Sequence, residues 1–390
     1  MANTDEHPRV AVKELKKTSM PPEEYKTVAE TEAETLEMFR DLNHPHLIKA
    51  IAFYSMNDKY YVMFPWAERG NLRDFWMQEP PSILDQRYLA WAFTQLCGLA
   101  EAIKMLHYFN EKQNWRHGDL KPENILCFEN PGVANANGRR GLCTLVIADV
   151  GLTKVHDKVT DARTKPTRRK SATIMYEPPE VRILADKPRS RRYDIWSMGC
   201  IYLEFVIWLL YGTSGLKRFQ EDLHDIAVGG EATFFFIDAN QNAQLNIVVQ
   251  KWIEYIETDP RCPENTAVHC LVELIVTKLL ITESGQDLNL NRVDSAHNYA
   301  EPNIATPMTP SILIRAATKL SGPGDDPSAK VRANAKQMYA AMKEILDDAA
   351  STRIDWMRWE APTQRGPEIY AKNLAVLGGK SLGSKEQEVS

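Results

Sequence analysis

The chain has 390 residues, 44% of them apolar and 25% charged, with a formal charge of -5; that is the make-up of a soluble protein with one or two cores, and it excludes a globally basic binder of nucleic acid or anionic lipid. Six scattered cysteines, Cys97, Cys127, Cys143, Cys200, Cys262 and Cys270, form no CxxC pair, which argues against a zinc site or disulfide scaffold and for a reducing, intracellular setting, cytoplasmic or nuclear. The first residues hold no apolar core of signal-peptide length, and the longest apolar run, 200–212, contains Glu204 and falls short of a bilayer span, so it reads as a buried helix and no membrane contact is expected.

In chain order, residues 9–16 alternate as a short strand, and residues 22–42 read as a charged helix with an apolar stripe of Val28, Leu36 and Phe39. Strand-like runs follow at 47–54 and 60–64, and Gly70-Asn71 breaks the pattern. Across residues 88–107, Leu89, Phe93, Leu96, Ile103 and Leu106 recur at helical spacing, so one face of a long helix is buried. Residues 115–155 are short apolar runs separated by polar turns, with a Gly/Asn-rich insert at 130–141 that reads as a surface loop. Helical patterns dominate from Tyr193 onward; residues 284–310 read as a long loop and 381–390 as a frayed end. No internal repeat is seen.

The most informative segment is His117-Gly118-Asp119-Leu120-Lys121-Pro122-Glu123-Asn124-Ile125-Leu126, which sets Asp, Lys and Asn two and five positions apart on one loop. That spacing suits phosphoryl transfer: Asp119 can orient an attacking hydroxyl, Lys121 can reach the γ-phosphate, and Asn124 can ligate a metal ion. Any one of these residues alone is more simply part of a charged surface loop; the whole string is not. Farther on, the strand-like run 145–148 leads into Asp149-Val150-Gly151-Leu152, a glycine-permitted turn whose carboxylate is suited to hold Mg²⁺.

With those motifs in order, the chain resembles the eukaryotic protein kinase family of the Ser/Thr type. Val10-Ala11-Val12-Lys13 resembles the third-strand motif, which implies contact of Lys13 with the α- and β-phosphates of ATP. Phe64-Pro65-Trp66-Ala67, followed by Gly70-Asn71-Leu72, resembles the gatekeeper and hinge, with the backbone at Pro65 and Ala67 bonding adenine and Leu126 also at the nucleotide site. The peptide 173–180 resembles the end of the activation segment, and Asp194-Ile195-Trp196-Ser197-Met198-Gly199 the start of the central large-lobe helix, whose Asp braces the catalytic loop. In the same way the resemblance pairs Glu180 with Arg332. The hinge and the Asn-Leu-Arg-Asp-Phe-Trp after it look most like divergent kinases of filamentous fungi.

The resemblance implies an α+β, bilobal fold: a small strand-rich lobe at 1–66, incomplete and without a glycine-rich loop, then a large, mainly helical lobe at 67–350 with inserts near 128–142 and 283–325, and a partly disordered extension at 351–390. It implies ATP and Mg²⁺ as cofactors and proteins bearing Ser or Thr as substrates. The pattern is broken in four places. Twelve residues precede Lys13 and none is glycine, so a slow or inactive chain is expected. Counting back from Leu42-Asn43-His44-Pro45 puts Thr35 at the position of the helix glutamate that pairs with the lysine, and Glu34 beside it is taken for that role. Gly118 stands where the family has arginine, and Val150 where it has phenylalanine. The activation segment, 152–175, is rich in Lys and Arg and is a candidate docking surface for acidic partners. Two other readings stay open: a small-molecule phosphotransferase, which Lys121 and the 173–180 peptide oppose, and a non-catalytic binding module.

Overall fold

The computed structural model describes residues 9–15, 21–40, 42–78, 80, 84–109, 115–129, 142–150, 174–184, 189–227, 230–282, 331–359 and 367. The expected loops at 130–141 and 284–310, the frayed end and the basic stretch 152–173 lie outside the described residues, as does the side chain of Phe39.

The small lobe consists of β1 (Val10–Glu14), α1 (Pro22–Arg40), β2 (Ala52–Met56) and β3 (Lys59–Pro65). Its strands run antiparallel in the order β1-β3-β2, with Lys13 opposite Val62 and Tyr54 opposite Tyr61. Asn57 and Asp58, at φ of 51° and 57°, close the β2–β3 hairpin, because these side chains tolerate the left-handed region that a two-residue hairpin demands. Strand alternation places Val62, Phe64, Phe53 and Tyr60 on the face that packs against Tyr25, Ala29 and Leu36 of α1. On the other face Val10 and Val12 are 40% and 49% exposed.

The large lobe is built from α2 (Leu72–Trp76), α3 (Gln86–Tyr108), β4 (Ile125–Glu129), β5 (Cys143–Ile147), α4 (Glu180–Ile183), α5 (Arg192–Asp225), β6 (Phe235–Ile237), β7 (Ala243–Leu245), α6 (Ile247–Glu257), α7 (Ala267–Leu274) and α8 (Ala335–Ala350). The apolar run 200–212 is indeed helical and buried, within α5; at Gly212, with φ of 70°, two helices join across a kink that glycine alone enters without strain. The strand expected at 47–54 starts later. Ile51 still donates to the Met63 carbonyl of β3 at 2.7 Å, but residues 46–48 bond to the large lobe: Ile147 N–H donates to the His46 carbonyl and Ile48 N–H to that of Ile147, both at 2.9 Å. His46 Nδ1 also donates to the Leu145 carbonyl at 2.7 Å. Gly98 on α3 makes room for this ring, since a Cβ there would stand 2.1 Å from His46 Nε2. Past α8 the chain folds back over the same lobe. Ala267 N–H donates to the Asp355 carbonyl at 2.7 Å, and Trp356 packs edge-on against Phe93 with ring centroids 5.6 Å apart. Trp356 and Met357, in the stretch read as an extension, are buried in the large core.

Candidate active site

The loop 115–124 connects α3 to β4, and a buried carboxylate holds its backbone at His117 and Gly118. Asp194, in the first turn of α5 and fully buried, accepts hydrogen bonds from the His117 and Gly118 N–H groups, each at 2.7 Å, and from His107 Nε2 at 2.8 Å. Burial pushes this carboxyl up, but the His107 bond and charge and the Gly118 amide outweigh it and hold the group below the usual aspartate value. Gly118 takes φ of 75°, so glycine sits there without strain. His117 Nε2 donates to the Ala148 carbonyl at 2.7 Å while Nδ1 accepts from the Asp119 N–H at 3.3 Å, which together specify the Nε2-protonated tautomer. One imidazole thereby ties the loop to the turn at Asp149.

The structure gathers the three expected loop side chains. Lys121 Nζ donates to the Asp119 carboxylate at 2.8 and 3.1 Å, and Asn124 Nδ2 donates to the Asp119 carbonyl at 2.7 Å and carboxylate at 3.0 Å. Because Asn124 turns its amide nitrogen to Asp119, its oxygen is the atom left to accept a cation. Asp149 follows β5 in the left-handed region at φ of 59°. From the small lobe Lys13 reaches across and donates to Asp149 Oδ1 at 2.8 Å.

Between the lobes lies a cleft of about 390 Å³ lined by Lys13, Phe64, Pro65, Ala67, Asn124, Leu126 and Asp149 among others. The expected nucleotide and metal residues therefore share one cavity, except for Glu34, which is exposed on α1. The carboxyl that α1 buries is that of Glu32, 4% exposed and close enough to feel both Lys13 and Asp149. Desolvation pushes its pKa up to about 6, Lys13 opposes the shift and Asp149 adds to it. Sequence reasoning missed Glu32 by counting back from the loop; the signal was the helical series Tyr25, Ala29, Glu32 and Leu36, spaced four, three and four along one face.

Two ionic clusters hold the site's surroundings together. Arg332, fully buried, donates to Glu180 through Nη1 at 2.7 Å and Nη2 at 3.1 Å and also bonds the Ile281 and Arg192 carbonyls. The expected Glu180–Arg332 pair is thus in contact. Arg73 of α2 donates to Glu123 at 3.2 Å and Glu204 at 3.3 Å and bonds the Tyr176 hydroxyl, which itself donates to Glu204 at 2.5 Å. This second cluster links α2, the loop 115–124, residue 176 and α5. It was not foreseen.

Among the described residues no group of three or more His, Cys, Asp or Glu converges as a metal cage. The donors that are present, one carboxylate at Asp149 and the Asn124 amide oxygen beside a lysine, fit Mg²⁺, which is commonly held by one or two protein oxygens together with substrate phosphates.

Comparison with known proteins gives the same direction as the geometry. The protein kinase domain family matches residues 1–248. A calcium/calmodulin-dependent protein kinase of Metarhizium anisopliae is 28% identical over 221 residues, covering 56% of this chain and 48% of that protein. The NUAK family SNF1-like kinase 1 of Homo sapiens is 27% identical over 212 residues, 54% of this chain and 27% of its own length. A calcium/calmodulin-dependent protein kinase of Emericella nidulans is 26% identical over 198 residues, covering 49% of this chain and 39% of the relative. The matches with these relatives span half of their length or less.

Proposed function

Because the chain belongs to the protein kinase domain family, we propose that it transfers the γ-phosphoryl group of Mg-ATP to Ser or Thr hydroxyls of proteins. The observation that carries this is the hydrogen-bonded set of Asp119, Lys121 and Asn124 facing the Lys13–Asp149 pair across one cleft. In this reading Asp119 orients the acceptor hydroxyl and takes its proton, and Lys121 meets the γ-phosphate. Asn124 and Asp149 would hold Mg²⁺, whose chemistry is to neutralise charge on the phosphates. Lys13 meets the α- and β-phosphates, with Glu32 as the α1 carboxyl placed to receive it. The Pro65 carbonyl and Ala67 N–H bond the adenine, between Phe64 and Leu126. Proline suits position 65 because an acceptor is needed there and not a donor.

The reading of a slow enzyme, or of a non-catalytic binding module, draws on one observation: among the described strands β1 pairs with β3 alone, so Lys13 is steadied from one side. The two readings separate in a single experiment that follows phosphoryl transfer to a protein substrate and Mg-dependent nucleotide binding by thermal shift. For a kinase, Asp119→Asn abolishes transfer and spares binding, while Asp149→Ala removes the Mg-dependent shift. Nucleotide binding with no transfer by the parent chain would establish the binding module, and transfer undiminished in Asp119→Asn would refute the catalytic assignment.

A further inference from the structure

Ser190 is an exposed hydroxyl in the run Arg189-Ser190-Arg191-Arg192, immediately before α5. Its Oγ accepts from the Arg192 N–H at 3.2 Å, and its carbonyl accepts from the Tyr193 N–H at 3.2 Å. A guanidinium from a distant segment reaches this turn, beside the turn's own arginines. Arg116, the residue before His117, donates through Nη1 to the Arg189 carbonyl at 3.0 Å. The Arg189 side chain lies 5.7 Å over the Tyr193 ring, and Arg191 lies 5.6 Å over Tyr108 while donating to the His107 carbonyl at 2.6 Å. Asp194, the carboxylate of the first α5 turn, is turned inward onto the catalytic loop.

We propose that Ser190 is a phosphorylation site whose phosphate, held by Arg189, Arg191 and Arg116, tightens the base of the loop carrying Asp119. A phosphoserine brings about two negative charges and three strong acceptor oxygens to a turn where the neighbouring side chains are forked cations. Arg116 already bonds the adjacent residue, so the added charge falls within its reach and fixes the segment that enters His117. A phosphate here also has arginine partners of the kind that position 118, a glycine, does not supply. The modifying enzyme is a Ser/Thr kinase that selects arginine-flanked serine. In the step, Ser190 Oγ bonds to the γ-phosphorus of ATP, the bond to ADP breaks, and the hydroxyl proton passes to that enzyme's base. The inference does not rest on this chain's own transfer activity, because here the chain is the acceptor.

The test uses the full chain carrying Asp119→Asn, which silences any transfer of its own, incubated with ATP and a purified arginine-directed Ser/Thr kinase. Peptide mapping is expected to find phosphate on Ser190, with Ser190→Ala as the non-acceptor control. The phosphorylated chain should melt about 2 °C higher and exchange the amide hydrogens of His117, Gly118 and Asp119 several-fold more slowly. Arg116→Met should erase the slowing, and Arg116→Lys, which keeps charge without the fork, should restore only part of it. The proposal is overturned if Ser190 stays unmodified while a control peptide is fully phosphorylated, or if phosphate at Ser190 leaves exchange at 117–119 unchanged.

Discussion

Desolvation lifts the Glu32 carboxyl to about 6 from an ordinary 4.5, so between those two values the folded chain binds more protons than the unfolded one. Stability therefore falls as pH rises through this window, by about 2 kcal/mol at the order-of-magnitude level. Glu32→Gln should flatten this pH dependence and raise the melting temperature at pH 7.5 by a few degrees. On the proposed function it should also slow phosphoryl transfer, since Lys13 loses its helix carboxyl. A variant with the parental pH profile would show that Glu32 is solvated. At this scale the sequence was most readable where the expected site residues form a short string: Asp119, Lys121 and Asn124 are neighbours in sequence and touch in space. It was least readable where a gap had to be counted. Glu34 and Glu32 differ by two residues, about 200° of helix, and only the face shared with Tyr25 and Ala29 distinguishes them.

Helices and strands show the same division. Strand and helix patterns located β1, α1, β3 and α3 to within a few residues, because each carries a two- or 3.6-residue apolar period. The start of β2 was displaced because backbone bonds to Ile147 claim residues 46–48, and no local pattern records a partner a hundred positions away. The Arg73 cluster escaped for that reason as well: its guanidinium meets Glu123 at a separation of 50 residues and Glu204 at 131. The Glu180–Arg332 pair, 152 residues apart, was reachable only through resemblance. It joins α4 to the chain entering α8, and Arg332 has no access to solvent. Glu180→Ala strands that charge and should cost about 3–5 kcal/mol in chemical denaturation. A parental denaturation midpoint with an unchanged slope would mean that the remaining partners of Arg332, the Ile281 and Arg192 carbonyls and the Trp196 ring among them, suffice.

For the molecule as a whole, two lobes and a cleft between them were legible, whereas the return of residues 352–359 onto α7 was not, because Trp356 and Met357 stand apart from any periodic run. The small lobe is tied to the large one by backbone bonds at 46–48 and by the chain that follows β3, and across the cleft by Lys13 and Asp149. That last contact behaves as a latch with two keyholes. On the proposed function Lys13 leaves Asp149 for phosphate oxygens, and Asp149 leaves Lys13 for a cation. Each departure frees the other partner, so nucleotide and Mg²⁺ should raise one another's affinity reciprocally, by a coupling on the order of 1–3 kcal/mol. Titrating nucleotide at low and high Mg²⁺ measures it, and Lys13→Met should shrink it, because Asp149 then has nothing to release. An undiminished coupling in that variant would show that the latch is open in solution. While the latch is shut, the ammonium and the carboxylate cancel one another, so neither lone phosphate nor lone cation finds an uncompensated charge at that spot, and on the proposed function the cleft should favour the pair arriving together.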